Sequence, residues 1–187
     1  MTLNYLKINK YEDVDLQDIL NDFIHHFTKG YSIVKIKHKN IQTLNVKFHK
    51  NNLPHLLGLH YTQNKKVSAK KIIGNIASGK ITHETIKKHH NYKDIKERLL
   101  NYNFLHKCFI DKNIKLCVVV PKNAINPNKI DIAFLDNEKM MFLGLRKGEY
   151  DQFYYPATMY VLGKNSKYNS LKRSHIAEVE WISESNN

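Results

Sequence analysis

Residues 114–162 read IKLCVVVPKNAINPNKIDIAFLDNEKMMFLGLRKGEYDQFYYPATMYVL, and this stretch decides the fold class. Apolar runs rich in β-branched and aromatic residues have strand length at Ile114–Val120, Ile130–Leu135, Lys139–Arg146 and Gln152–Leu162. Pro121, Asn126-Pro127 and Asp136-Asn137 fall between them, at places where proline and asparagine close turns. Short connections join antiparallel neighbours, so the run predicts a meander. Ile176–Ile182 predicts a further strand beyond it.

Upstream the period changes. Asp13, Asp15 and Asp18 open a helical pattern, where carboxylates suit the helix dipole. Val14, Leu16, Ile19, Leu20, Phe23, Ile24 and Phe27 recur at helical spacing, and Gly30 ends the run. Val34 and Ile36, then Leu44, Val46 and Phe48, alternate about Lys39-Asn40 as a hairpin. Asn51–Tyr61 (NNLPHLLGLHY) is apolar, opened by a proline, and has room for one or two helical turns. Ser68 caps a helix through Ala77 that stops at Gly79, Thr82 caps one through His90, and Tyr92–Phe109 carries a longer one. Helices segregated from strands predict an α+β fold. Several helices would pack against a four- to five-stranded antiparallel sheet, plus an N-terminal hairpin. Residues 1–187 suit a single domain with its core over about 13–165 and a C-terminal strand at about 176–182.

The net charge of +13 implies attraction to nucleic acid, an anionic membrane surface or an acidic protein. Lysine supplies 27 of the 30 basic residues, and with abundant asparagine this is also what an AT-rich genome yields without selection for charge. Where Lys is the default, the three arginines, Arg98, Arg146 and Arg173, point to a need for the planar guanidinium fork. Between Asn64 and Lys107 stand eleven basic and three acidic residues, whereas Tyr11–Asp22 holds five acids and no base. The middle of the chain is therefore a cationic face for phosphate, or else a solvated lysine-rich surface. No apolar run reaches the roughly 18–20 residues of a membrane span. Met1–Lys10 lacks the pattern of a signal peptide, and Cys108 and Cys117 make no disulfide framework. The expectation is a cytoplasmic protein without membrane contact.

Phosphate-binding, dinucleotide, zinc-protease and nucleophile-elbow motifs are all absent. Cys and His lack zinc spacing, and carboxylates are sparse beyond the first helix, so no metal and no cofactor are expected. Eleven histidines remain. RNA carries its own nucleophile, the 2′-hydroxyl, and its cleavage needs a base, an acid and a cation for the crowded phosphorane. Histidine fills either proton-transfer role. His55 and His60 bracket Leu56–Leu59, with Gly58 allowing close backbone approach. On a continuous helix, however, they would stand about 140° apart. Arg98 lies in a helix with Asp94 at i−4, which offers the alternative of an ordinary surface pair. In Phe153–Tyr160 (FYYPATMY) the proline forces an edge or a bulge that aims Tyr155 and Thr158 into a cleft, to donate hydrogen bonds to phosphate or stack on a base, unless the segment is simply an aromatic core strand.

The segment Asn52-Leu53-Pro54-His55-Leu56-Leu57-Gly58-Leu59-His60, following a hairpin strand, resembles the signature of a phage-associated family, the fourth phage subfamily of the barnase–EndoU–colicin–RelE-like nucleases. Gly79-Lys80-Ile81-Thr82, the Arg98 helix, Phe142-Leu143-Gly144-Leu145 and Tyr155-Pro156-Ala157-Thr158 extend the resemblance over about residues 15–165. It implies helices on a four- or five-stranded antiparallel sheet and a ribonuclease activity. Carried over, His55 and His60 match the family's histidines, Arg98 its helical arginine, and Thr158 a Ser or Thr beside the proline. The expected reaction is a metal-independent endoribonuclease cut leaving a 2′,3′-cyclic phosphate. Tyr155 and Thr158 would position the phosphate, while Lys65, Lys66, Lys70, Lys71 and Lys147 hold the RNA backbone. The family's toxin and phage-defence members imply an acidic antitoxin or immunity partner. The alternatives are a non-catalytic nucleic-acid-binding or inhibitor protein, and a different phosphate-handling transferase.

Overall fold

The computed structural model describes residues 4–63 and 65–184, so Asn64, at the edge of the basic stretch, lies outside the described residues. The expected meander is present as β3 (Leu116–Val119), β4 (Ile132–Asp136), β5 (Met141–Lys147) and β6 (Phe153–Val161), each antiparallel to the next. The expected hairpin is β1 (Gly30–Lys37) with β2 (Thr43–Lys47). These two units do not stay apart. β2 pairs parallel with β6 through Asn45–Phe153 and Val46–Tyr154. The eleven-residue β7 (Arg173–Ser183) pairs with both β1 and β3.

The result corrects the expected open antiparallel sheet of four or five strands. It is a closed, mixed barrel of seven strands in the order β1-β2-β6-β5-β4-β3-β7. The reason is edge pairing. A hairpin and a meander each leave two open edges, and one long strand together with one parallel contact satisfies all four.

Among the described residues six α-helices accompany the barrel: α1 (Leu16–Phe27), α2 (Leu53–Leu56), α3 (Ala69–Ala77), α4 (His83–Lys87), α5 (Tyr92–Leu100) and α6 (Phe104–Phe109). Asp15 caps α1 by accepting from the Gln17 and Asp18 amides, and Ser68 and Thr82 cap α3 and α4. Gly30 is not a helix stop. It opens β1, where any Cβ would run into the Ile182 carbonyl of β7. The single helix expected over Tyr92–Phe109 is broken at Asn101–Asn103. There the Asn103 side chain accepts from the Ile8 amide at 2.7 Å and donates to the Leu6 carbonyl at 2.6 Å, tying down the N-terminal segment.

Alternate strand residues (Val34, Ile36, Leu44, Val46, Phe134, Leu143, Ile176 and Val179 among them) share one buried core with α1, α2, α3, α5 and α6. The opposite face of β4 and β5 buries Ala133, Leu135 and Phe142 in a second, smaller cluster with Ile130 and Tyr168. That is why β4 is apolar at successive positions rather than alternate ones. Among the described residues no helix is long and apolar enough to cross a membrane.

Candidate active site

The segment after β2 is pinned by one side chain. Asn52 Oδ1 accepts from the His49 amide at 2.6 Å, and its Nδ2 donates to the Pro156 carbonyl at 3.2 Å. This seats α2 against β6 where that strand is irregular. Pairing between β5 and β6 shifts from Gly144–Thr158 to Leu145–Pro156, leaving Ala157 unpaired as a bulge. On the other side β2 stops pairing at Tyr154, so Pro156 has no ladder bond to make there.

Gly58 then breaks the helix. It adopts φ +71°, and the chain restarts as a tighter turn over Leu59–Thr62. His55 and His60, which would diverge on a continuous helix, therefore have ring centroids only 5.4 Å apart. A Cβ on Gly58 would lie 2.8 Å from Ile95 Cγ2 and 3.3 Å from Arg98 Cδ, so α5 packs directly on the glycine backbone.

His55, His60, Tyr61, Arg98, Asn128, Arg146 and Thr158 line one small cavity of about 170 Å³. Four residues read from the sequence as site candidates, His55, His60, Arg98 and Thr158, thus meet. Arg98 lies between two tyrosines, its Cζ 5.7 Å from the Tyr61 ring centroid and 5.8 Å from that of Tyr160. It forms no ion pair with any described acid, Asp94 included. Its Nε is buried without a hydrogen-bond partner, and so is His60 Nδ1. Unsatisfied buried polar atoms are few in native proteins, and two here belong to residues that line the same cavity.

The electrostatics follow from this crowding. Burial first, then the His55 side chain and the Arg98 cation, hold His60 below the usual imidazole value of 6.5. The Pro54 backbone carbonyl opposes them, favouring the protonated ring. Burial also lowers the Arg98 guanidinium, and charge interaction with the Tyr61 and Tyr160 side chains partly offsets it. It remains a cation at neutral pH. Arg146 reaches the cavity from the end of β5, its Nη2 donating to the Asn128 carbonyl at 2.6 Å and its Nε to that of Lys129 at 3.3 Å.

Tyr155 is not brought into this cavity. It lines a neighbouring one of about 430 Å³ with Asn52, Lys147, Gly148 and Glu149, and the two cavities share His55, Arg146 and Ala157. Its hydroxyl donates to Asp151 Oδ2 at 2.7 Å. Burial and that bond push its pKa up to about 12. Lys65, Lys66, Lys70 and Lys71 are exposed in and before α3 and line neither cavity.

Sequence reasoning missed Tyr61, Asn128 and Arg146 as site residues. Arg146 had a signal, its rarity in a lysine-rich chain. Arg173 shared that signal but serves structure, donating to the Tyr168 and Leu171 carbonyls. Among the described residues no group of three His, Cys, Asp or Glu side chains is placed to hold a metal ion.

A family model described as phage-Barnase-EndoU-ColicinE5/D-RelE like nuclease4 matches residues 15–180. No curated protein and no solved structure matches the chain.

Proposed function

The chain belongs to the phage-Barnase-EndoU-ColicinE5/D-RelE like nuclease4 family, and from that premise we propose that it is an endoribonuclease cutting RNA without a metal at the His55–His60–Arg98 cavity. One observation carries the reading. A half-buried guanidinium with no described acid beside it borders a polar cavity too small for most ligands, which occupy roughly 300–1,000 Å³. A cation withdrawn from water without a counter-charge is costly, and a bound phosphate relieves that cost.

His60, held neutral by its surroundings, takes the proton from the 2′-hydroxyl. The 2′-oxygen attacks phosphorus, and the bond from phosphorus to the 5′-oxygen breaks. His55, at the exposed lip, gives that oxygen its proton. Arg98 and Arg146 balance the charge gathering on the phosphoryl oxygens, and the Thr158 hydroxyl orients them. The products are a 2′,3′-cyclic phosphate and a 5′-hydroxyl. Lys147 and the lysines of the α3 region attract the RNA electrostatically, and an acidic antitoxin or immunity protein would compete for the same cations.

Incubation with single-stranded RNA in EDTA, with the ends of the products identified chemically, tests this. Cleavage to 2′,3′-cyclic ends that His60→Ala slows by about 10²- to 10⁴-fold is expected. Intact RNA, or equal cleavage by the variant, sinks the mechanism.

A further inference from the structure

The 430 Å³ cavity beside the phosphate site has the build of a second subsite. Its volume falls within the usual small-ligand range of roughly 300–1,000 Å³. The Tyr155 ring forms part of its wall and is fixed before any ligand arrives. His49 stacks on it with centroids 5.2 Å apart and planes 18° from parallel, and Asp151 holds its hydroxyl. Asp151 is itself oriented by the Phe153 amide, which donates to Oδ1 at 2.8 Å. Gly148 keeps the ring's edge clear. A Cβ there would collide with Asp151 and stand 3.1 Å from Tyr155 Cε2. A rigid, supported aromatic ring in a cavity that opens onto a phosphate site suits a flat aromatic group covalently attached to that phosphate.

We infer that this cavity is a nucleobase site: the base of the nucleotide adjoining the scissile phosphate stacks on Tyr155, and the enzyme therefore takes RNA single-stranded. The inference rests on the phosphate cavity being the reactive one, because the three shared lining residues make the two sites continuous. A base seated on Tyr155 has left its own stack and its pairing partner, so a duplex cannot supply it. The same geometry gives Tyr155 a part other than contacting phosphate. Its hydroxyl is committed to Asp151, and its ring does the binding.

The test is binding of a short single-stranded oligodeoxynucleotide carrying 2-aminopurine, which lacks the 2′-hydroxyl and so is not cut. Saturable quenching of its fluorescence is expected with the wild type and with His60→Ala, and weaker binding by the same strand in a duplex. Tyr155→Leu should weaken binding by about 5- to 100-fold, the effect of losing one base–aromatic stack. Tyr155→Phe, which keeps the ring, should retain most of it, and His49→Ala should cost less than Tyr155→Leu. Competition by inorganic phosphate against oligonucleotide binding should be the same in all these Tyr155 and His49 variants. Equal binding by Tyr155→Leu and wild type, equal binding of duplex and single strand, or no binding at all overturns the assignment. Tyr155-dependent quenching without any RNA cleavage would uphold the base site while removing the nuclease reading. Cleavage unaffected by Tyr155→Leu would do the reverse.

Discussion

Arg98 lies over two tyrosine rings and lacks a described acidic partner, and that combination predicts what its replacements do. Arg98→Lys keeps a charge but loses the planar fork, so kcat/KM for RNA should fall by about 10²–10³. Arg98→Met should abolish cleavage without lowering the thermal midpoint, because it removes a desolvated cation rather than a pair. A calorimetric midpoint that falls with the activity would instead mark Arg98 as structural. In the proposed mechanism His60 sets the pH dependence. Its folded pKa lies below 6.5, so the base is available through neutrality and is lost only as pH falls through that lowered value. A profile of kcat/KM against pH should show its acidic limb below 6.5, and His60→Ala should remove that limb. The residue types were legible from the sequence, since a rare arginine and a histidine pair around a glycine stand out in a lysine-rich chain. Tyr61 was not, because adjacency to His60 says nothing of reaching across to Arg98.

At the scale of the element, the site depends on how two short pieces are joined. Gly58 turns α2 back on itself through a left-handed residue, and α5 leaves no room for a Cβ there. Gly58→Ala should cost about 1–3 kcal/mol and weaken catalysis further by separating His55 from His60, measured as thermal midpoint and kcat together. Asn52→Ala removes the two hydrogen bonds that moor α2 to the bulge of β6. It should lower stability by about 1–3 kcal/mol in urea unfolding. The helical-wheel expectation for His55 and His60 failed for this reason: it assumed one continuous helix, whereas the glycine's positive φ makes two. The bulge in β6 was legible, because a proline inside a strand can be accommodated in few ways. The split between α5 and α6 was not, since Asn103 breaks the helix in favour of partners almost a hundred residues away.

For the whole molecule, charge and acid sensitivity are the measurable consequences. Replacing Lys65, Lys66, Lys70 and Lys71 together by Gln should weaken RNA association at low salt and leave kcat unchanged, because they sit away from the cavity. Acid should unfold the protein from two sources. Burial, before any charge effect, lowers His26, His60 and His83, so each binds its proton more tightly when unfolded. Their contribution is present above 6.5 and lost as pH falls through the lowered folded values. Burial alone would raise Asp22, but the His106 ring at 2.8 Å and the Tyr102 hydroxyl outweigh it and hold the carboxyl below 3.8. Its contribution fades only at lower pH still. Urea midpoints recorded across pH should therefore decline in two stages below neutrality.

Periodicity, caps and turn residues determined most of the local units, the hairpin, the meander and the capped helices α1 and α3 among them, because these are stabilised by neighbours in sequence. The joining of those units into a barrel was decided only in three dimensions. Pairing β2 with β6, and β7 with both β1 and β3, satisfies edges that lie far apart along the chain, and no local pattern encodes which distant edge is chosen. The same closure carries the Thr158 strand to α2 and α5, turning scattered histidine, arginine and threonine into one cavity.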